Sequence, residues 1–193
     1  MLIRHILLMK NIDEYIQLKA YAREYGAFMG LLWIASFACF LGSVVEPSLS
    51  FAFDFTIVLI PFMAHFFVKL YRDRIVNGVI SFKRAFGFSI FIFLYATLIL
   101  AIAQWAYFSY MDNGRLVATL ITMVSSAEFK PVLEAYKVTE QEMKQNLELL
   151  AETRPIDFAM TFMGVNMFAG MIISWVVALF AKRTKPQSVS SMP

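Results

Sequence analysis

The sequence predicts an all-α protein, a four-helix transmembrane bundle with an extracytoplasmic helical insertion between the third and fourth membrane-spanning helices. The first observation is composition: the 193 residues are 60% hydrophobic and 16% charged, with a mean hydropathy of +0.65. Soluble domains carry about a quarter charged residues, so the excess apolar surface is expected to face lipid. The second observation is that four apolar segments are long enough to cross a bilayer, and the third is that basic residues cluster between them.

The four apolar segments define the predicted domain organisation. A bilayer core about 30 Å thick requires about 20 apolar residues in a helix, and in lipid each segment must be helical because its backbone amides need internal partners. The predicted domain covers residues 26–181, between a cytoplasmic or interfacial N-terminal segment (1–25) and a cytoplasmic tail (182–193). The ILLM stretch at residues 6–9 is too short for a signal peptide, so we expect segment 1–25 to be retained. The predicted spans are residues 26–45, 51–70, 85–108 and 157–181.

The distribution of basic residues predicts the orientation, because lysine and arginine accumulate in short cytoplasmic segments. Residues 69–84 contain five basic residues, residues 1–25 contain four, and the linker between the first two spans contains none. The tail adds Lys182, Arg183 and Lys185. We therefore predict a multi-pass membrane protein with both termini in the cytoplasm and residues 109–156 on the extracytoplasmic side.

The long segment 109–156 is predicted to be helical rather than an unstructured linker. Asp112 is placed to cap a helix that starts near Gly114, and Pro131 suits the first turn of a short helix. Thr139-x-x-Glu142 is a capping box that opens a helix extending to about residue 152. These amphipathic helices are expected to lie over the extracytoplasmic ends of the bundle.

Small residues at a spacing of four predict where helices approach one another closely. Membrane helices associate through close packing of such residues, since lipid tails supply no hydrophobic driving force. We expect the small residues to form contacts between helices of one chain, with a dimer interface or a lipid groove as alternatives. The pattern occurs as Gly26-x3-Gly30 and as the series Asn166, Gly170, Ser174 and Ala178.

Polar residues within the apolar spans are candidate functional residues, because they are costly in lipid. Asp54, Gln104 and Asn166 fall at similar depths and are predicted to form a polar cluster on the extracytoplasmic side. The alternative is that Asp54, together with Glu46 and Asp157, lies at the water interface and caps helices.

The basic loop is a candidate headgroup-binding site, in which each cation near the surface would contribute about 1 kcal/mol of attraction to anionic lipid. Arg72 and Asp73 are expected to pair and order the turn, and Asn77-Gly78 to supply its positive-φ position. The alternative is that the charges only determine topology. The candidate cations are Lys69, Arg72, Arg74, Lys83 and Arg84.

Sequence motifs do not indicate catalysis. The chain contains no nucleophile elbow, phosphate-binding loop or HExxH motif, and it has one cysteine, Cys39, and two histidines, His5 and His65. We therefore predict that the protein is not an enzyme and uses no cofactor or metal. The cations do not form one basic face, so nucleic acid is not an expected partner. The expected partners are the lipid bilayer and either another membrane protein or a second copy of the chain.

The segment KLYRDRIVNGVISFKRAFGF, followed by YFSYMDN, resembles bacterial membrane proteins grouped as domain-of-unknown-function family 4199. Members have a Tyr-Arg-Asp turn after the second span, and a Tyr-x-Asp after the third. The resemblance extends over about residues 20–182 and departs at Val79, where members often have glycine, and at Asn113, where they often have proline. The matching positions are Tyr71, Arg72, Asp73, Gly78, Phe82, Ala85, Phe86, Tyr110 and Asp112.

This resemblance implies an architecture and a location, the bacterial inner membrane with residues 109–156 in the periplasm, but no activity. Family members are often encoded near a membrane glycosyltransferase, which implies an accessory role in handling polyprenyl-linked sugars. Our first hypothesis is therefore a non-catalytic accessory or scaffold subunit of a cell-envelope assembly. The alternative is a small transporter or flippase-like protein for a lipid or small solute. The sequence favours the first, because no charged residue lies at mid-membrane and no span is broken by Gly/Pro pairs.

Overall fold

The fold is an all-helical bundle in which four long helices are accompanied by three shorter ones. The computed structural model describes residues 2–184, with side chains from residue 12 onward. Four of its helices are long and apolar enough to cross a membrane, as predicted. In chain order the helices are α1 (Leu2–Ser43), α2 (Leu49–Arg74), α3 (Phe82–Tyr110), α4 (Arg115–Val124), α5 (Lys130–Tyr136), α6 (Glu140–Ala151) and α7 (Pro155–Ala181), with a 3₁₀ turn at Ala127–Phe129.

Helix α1 continues without a break through residue 25, where the N-terminal segment was predicted to end. Leu18 and Ala22 belong to the buried core, so this part of the helix packs against the other helices of the bundle. The Glu14 carboxylate also accepts from the Arg84 guanidinium at 3.0 Å, at the start of α3. Lys185 and the rest of the predicted tail, residues 185–193, lie outside the described residues.

The four long helices form a ring. Helix α3 packs mainly on α1 and α7, and α2 packs on the other sides of the same two helices. Helices α2 and α3 make few contacts with each other although they are consecutive in the chain. They therefore lie across the bundle from one another, with α1 and α7 between them.

Glycines allow the closest approaches between these helices. A Cβ atom on Gly26 would lie 2.6 Å from Tyr95 Cβ, and one on Gly170 would lie 2.7 Å from Phe93 Cγ, both well inside van der Waals contact. Ser174 and Ala178 continue the α7 contact and are fully buried. The small-residue pattern therefore forms helix contacts within the chain, as expected from its spacing.

The bundle is tight at one end and open at the other. We call the end that contains residues 75–81 the loop end, and the end that contains residues 111–154 the insertion end. All buried residues of α2 lie between Ala64 and Arg72, near the loop end, and those of α7, apart from Ala159, lie between Gly170 and Ala181. Helix α3 has buried residues from Ala85 to Gln104, in both halves of the bundle. Towards the insertion end, α2 contributes no buried residue and α7 contributes only Ala159.

The insertion begins and ends its helices as the sequence predicts. The Asp112 carboxylate accepts from the Leu116 amide at 3.1 Å and orders the first turn of α4. Pro131 lies in the first turn of α5, and Thr139 with Glu142 forms the capping box of α6. Helix α4 packs on α6. The chain bends by 73° between α4 and the segment Ala127–Tyr136. Taken together, these two segments are apolar enough to form a broken membrane span or a re-entrant loop.

Candidate functional site

An apolar cavity of about 530 Å³ lies between the insertion-end halves of the four long helices. All four contribute to its walls, for example Trp33 of α1, Ile57 of α2, Leu100 of α3 and Phe162 of α7. One water molecule takes up about 30 Å³ in the liquid, and a CH₂ group is of similar size. A cavity of this volume therefore holds roughly 15 to 18 carbon atoms. The cavity is thus of a size to accommodate one lipid chain.

The cavity lies at a level where α2 contributes no fully buried residue and α7 contributes few. Phe51 and Phe55 of α2 face outward there, since they are 78% and 66% exposed. On the α7 side the wall combines large residues, such as Phe158 and Phe162, with the small residues Ala169 and Gly170.

The cavity opens towards the surface between α2 and α7. Ile57 of α2 and Val165 of α7 line the cavity and are also 46% and 61% exposed. In a bilayer such a lateral opening would face lipid tails, because both helices carry apolar surfaces there. A lipid chain could enter sideways without crossing an aqueous phase.

The insertion covers the cavity at its end. Leu116 and Leu120 of α4 and Leu150 of α6 all contribute to the lining. Leu116 is buried, and its amide is held by Asp112, one of the residues shared with the family pattern. The capping interaction of Asp112 thus positions the helix that closes the cavity.

Polar groups interrupt the apolar lining at a few points. The hydroxyl groups of Thr56 and Ser36 are hydrogen-bonded at 2.7 Å, which links α2 to α1 at the cavity wall. Four buried side-chain polar atoms have no hydrogen-bond partner between residues 12 and 184, and two of them belong to residues of the lining: the Trp33 indole nitrogen Nε1 and the Gln104 carboxamide oxygen Oε1. A buried polar group without a partner costs about 1–3 kcal/mol. Neither atom has accessible surface of its own, so both are enclosed by protein atoms and do not themselves face the cavity.

Two of the three residues predicted to form a polar cluster share this cavity. Gln104 is buried in its wall and Asn166 lines it from α7. Asp54 is exposed and does not line the cavity. Asp157 instead pairs with Arg154 at 2.7 Å in the first turn of α7, as expected for a residue at a helix start.

Arg72 lies inside the protein at the loop end. Its Nε donates to Asp73 Oδ1 at 2.7 Å, and its Nη1 donates to the Ala181 carbonyl oxygen at 3.0 Å. The last carbonyls of a helix have no partner within the helix, so this bond satisfies one of them at the end of α7. Arg72 therefore joins α2 to α7, and the pairing expected between Arg72 and Asp73 is present.

Arg84 forms a second connection at the loop end. Its Nη2 donates to the Tyr71 hydroxyl oxygen at 3.1 Å, and its Nη1 donates to Glu14 at 3.0 Å. Tyr71 is fully buried and stacks on Phe88 with ring centroids 4.1 Å apart. Three helices, α1, α2 and α3, therefore meet through one arginine.

The remaining cations of the basic loop are at the surface. Lys69, Arg74 and Lys83 are exposed, and the side-chain hydrogen bonds and ion pairs between residues 12 and 184 do not involve them. Of the five candidate headgroup-binding residues, these three are therefore accessible to a phosphate. Arg72 and Arg84 serve internal contacts instead.

The turn between α2 and α3 is ordered by its backbone. Asn77 and Gly78 have φ angles of 54° and 77°, the left-handed conformation predicted for this pair. Ile80 then exchanges two backbone hydrogen bonds with Arg183, at 3.0 and 2.9 Å. The loop is thus tied to the end of α7, next to the bond from Arg72 to Ala181.

The other positions of the family pattern are structural as well. Phe82 and Phe86 stack in the first turns of α3, and Ala85 is fully buried. Tyr110 is 72% exposed and lies edge-on to Trp105, with ring centroids 6.0 Å apart.

Within the described residues, no group of three or more His, Cys, Asp and Glu side chains is close enough together to hold a metal ion. The cavity itself contains no acidic, basic or histidine side chain. The polar groups of its lining are all neutral: a hydroxyl, two amides and an indole.

Comparison with known proteins gives one match. The family described as "Protein of unknown function (DUF4199)" matches residues 24–183, most of the chain. None of the curated proteins and none of the solved structures matches.

Proposed function

The chain belongs to the DUF4199 family of proteins of unknown function, and from that premise we propose that it is a lipid-binding accessory subunit of a cell-envelope assembly. In this proposal the protein spans the inner membrane and holds the acyl or isoprenoid chain of a lipid without catalysing a reaction on it.

The observation that carries this proposal is the cavity of about 530 Å³ between the four long helices. Apolar pockets of roughly 300–1,000 Å³ with a few polar groups are typical of binding sites for small apolar molecules. An empty apolar cavity of this size would be costly, because its lining atoms lose packing contacts. Occupation by a lipid chain restores those contacts.

The orientation we propose follows from the charges at the two ends of the bundle. Lys69, Arg74 and Lys83 are exposed at the loop end, and both α1 and α7 have their outer termini there. Cytoplasmic segments carry the excess of lysine and arginine. The loop end is then cytoplasmic, and the insertion lies on the periplasmic side, with the cavity in the outer half of the membrane.

Packing at the loop end favours lipid binding over transport. A transporter needs access to its site from both sides of the membrane, in turn. The interior of the loop-end half is filled by Tyr71 stacked on Phe88, and by Phe93 in contact with Gly170. These contacts leave the cavity open only in the half that contains the insertion.

An accessory role requires a partner protein, and α6 offers an exposed apolar residue for it to contact. Helix α6 presents Leu149, which is 66% exposed, beside the cavity-lining Leu150. A partner that contacts α6 would therefore be next to the bound lipid. We propose a partner that acts on lipid-linked substrates, such as an enzyme of polyprenyl-linked sugar transfer.

Quenching of Trp33 fluorescence tests lipid binding directly. The chain has three tryptophans, and a Trp105→Phe/Trp175→Phe variant leaves Trp33, in the cavity wall, as the only one. With this protein in lipid nanodiscs, we expect a brominated 16-carbon alkane to quench Trp33 saturably at low mole fraction.

Two further variants control for quenching by bulk lipid. Ala169→Phe places an aromatic ring in the cavity and should abolish the saturable component. Ile172→Phe adds the same group to the same helix outside the cavity, where the residue is 55% exposed, and should preserve it. Quenching that rises linearly with the probe, equally in both variants, would contradict lipid binding.

A further inference from the structure

We infer that the loop end carries a second lipid site, where the ends of α2 and α7 meet, which binds the headgroup of an anionic phospholipid through Lys69 and Arg183. We call these two residues and their surroundings the loop-end site. It lies at the opposite end of the bundle from the cavity and uses charged groups. It therefore does not depend on the lipid binding proposed above.

The position of Lys69 follows from the contact that Arg72 makes with α7. Arg72 donates to the Ala181 carbonyl oxygen, so its side of α2 faces the end of α7. Residues three apart are neighbours on the surface of a helix, which places Lys69 one turn from Arg72 on this side. Because Lys69 is exposed, it lies at the outer edge of the contact between the two helices.

Arg183 reaches the same place from α7. Its backbone exchanges two hydrogen bonds with Ile80, which hold the residue in an ordered position beyond the end of α7. Its side chain and that of Lys69 both act electrostatically on the Asp73 carboxylate. Neither of them forms an ion pair with Asp73 or with another carboxylate between residues 12 and 184. The two cations therefore lie near one carboxylate without being bound to it.

The charge of Asp73 does not cancel that of the loop-end site. Both of its carboxylate oxygens accept from Arg72, at 2.7 and 3.0 Å, so its charge is offset within that pair. Lys69 and Arg183 keep their two positive charges, and the exposed Lys182 adds a third beside Arg183. Two cations from different helices are suited to one phosphate group, because each can donate to a separate oxygen.

Apolar side chains next to these cations favour a lipid over a soluble phosphate. Phe62 lies about two turns before Lys69, on the same side of α2, and is exposed. Phe180 lies three residues before Arg183 and is also exposed. A phospholipid can place its phosphate at the two cations and its chains against the two rings. Basic pockets between helices bind anionic headgroups in this way.

A tryptophan beside the loop-end site measures binding. Replacement of the three native tryptophans by phenylalanine, combined with Phe180→Trp, leaves a single tryptophan three residues from Arg183. In phosphatidylcholine nanodiscs, quenching by dibrominated phosphatidylglycerol, which is anionic, is compared with quenching by dibrominated phosphatidylcholine. We expect the anionic lipid to reach half-maximal quenching at a mole fraction at least about tenfold lower. Each of the two cations contributes a factor of about five, which corresponds to its attraction for anionic lipid.

Substitutions show whether the preference arises from these two cations. Lys69→Gln and Arg183→Gln should each reduce it about fivefold, and Arg183→Lys, which keeps the charge, should retain most of it. Arg74→Gln is the matched control, because Arg74 is an exposed cation of α2 that acts electrostatically on Tyr25 of α1 and so lies on another side of the helix. It should change the preference less than about twofold. Quenching by brominated phosphatidylcholine should be the same in all variants, which shows that they are folded.

The outcomes that would overturn the loop-end site are distinct. Equal quenching by the two brominated lipids would mean that no headgroup preference exists. An effect of Arg74→Gln as large as that of Lys69→Gln would assign the preference to the general charge of the loop end. Displacement of phosphatidylglycerol by inorganic phosphate, beyond the effect of chloride at the same ionic strength, would assign the cations to a soluble anion. None of these results bears on the cavity, which is tested with Trp33 and an uncharged alkane.

Discussion

The Arg72 guanidinium donates to the Ala181 carbonyl oxygen over 3.0 Å, across 109 residues of sequence, and thereby fixes the end of α7 against the end of α2. The same guanidinium donates twice to Asp73, at 2.7 and 3.0 Å. Three of its donors are thus used, and its side chain is only 9% exposed. Arg72 belongs to the family pattern, and in this structure it joins two helices rather than facing a ligand.

Replacement of Arg72 by lysine should destabilise the bundle. An ammonium group cannot reproduce the fork that bonds Asp73 and Ala181 together. Loss of a charge-assisted bond, with the Ala181 carbonyl left unpaired, should lower the free energy of unfolding by about 2 kcal/mol. Thermal unfolding in detergent measures this. Arg74→Lys, at an exposed position two residues away, should change stability by less than about 0.5 kcal/mol. Equal effects of the two changes would contradict the structural role of Arg72.

Gly170→Ala should also destabilise the bundle, for a steric reason. The added Cβ would lie 2.7 Å from the Phe93 ring, so α3 and α7 would have to separate, at a cost of about 1–3 kcal/mol. Gly164→Ala is a matched control on the same helix, because its Cβ would meet nothing within 4 Å. Alanine is the better helix former, so this second change should be neutral or slightly stabilising. A melting temperature that falls equally in both variants would exclude the proposed contact.

Acidification should loosen the first turn of α6. The amide and hydroxyl of Thr139 donate to the Glu142 carboxylate and lower the pKa of that carboxyl group. A carboxyl whose pKa is lowered by folding contributes stability above its unfolded pKa and loses it as the pH falls through the folded pKa. Hydrogen-exchange protection of the bonded amides of Thr139, Glu142 and Met143 should therefore decrease below about pH 4.5, near the ordinary pKa of a glutamate.

The neighbouring residue Glu140 requires a control, because Lys144 lowers the pKa of its carboxyl group too. The experiment should therefore use a Glu140→Gln background. In that background Glu142→Gln retains a capping side chain that does not titrate. Protection in this double variant should not depend on pH over the same range. A decrease of the same size would assign the effect to another group.

Local signals in the sequence were sufficient to predict the four long apolar helices and the caps of the helices in the insertion. Apolar length predicted the spans, and Thr139 with Glu142 predicted the start of α6, because a capping box involves only neighbouring residues. The small residues near Gly170 predicted a close helix contact, since spacing alone places them on one face. These features depend on residues that are near one another in the chain.

The cavity could not be predicted in the same way. It depends on the spacing of the four long helices at the insertion end, which involves residues far apart in the sequence. Gln104 and Asn166 were identified by their polarity, but nothing in the sequence shows that Trp33 lies on the same cavity. The burial of Arg72 was missed for a similar reason, because its partner Ala181 lies in the last helix.

The orientation of the bundle gives the last prediction, and two exposed turn residues form a natural pair to test it. Asn77 lies in the turn at the loop end and Lys137 in the insertion, and both have left-handed backbone conformations, with φ angles of 54° and 55°. Cysteine at either position therefore bears a similar backbone strain. In a Cys39→Ala background, each variant carries a single thiol.

A thiol reagent that does not cross membranes should label Lys137→Cys in intact spheroplasts if the loop end is cytoplasmic, as we propose from its exposed cations. Asn77→Cys should be labelled only after the membrane is permeabilised. The opposite pattern would invert the bundle and place the cavity in the cytoplasmic half of the membrane. Labelling of both cysteines in intact spheroplasts would mean that the two ends are not separated by a bilayer, and the lateral opening between α2 and α7 would then not face lipid.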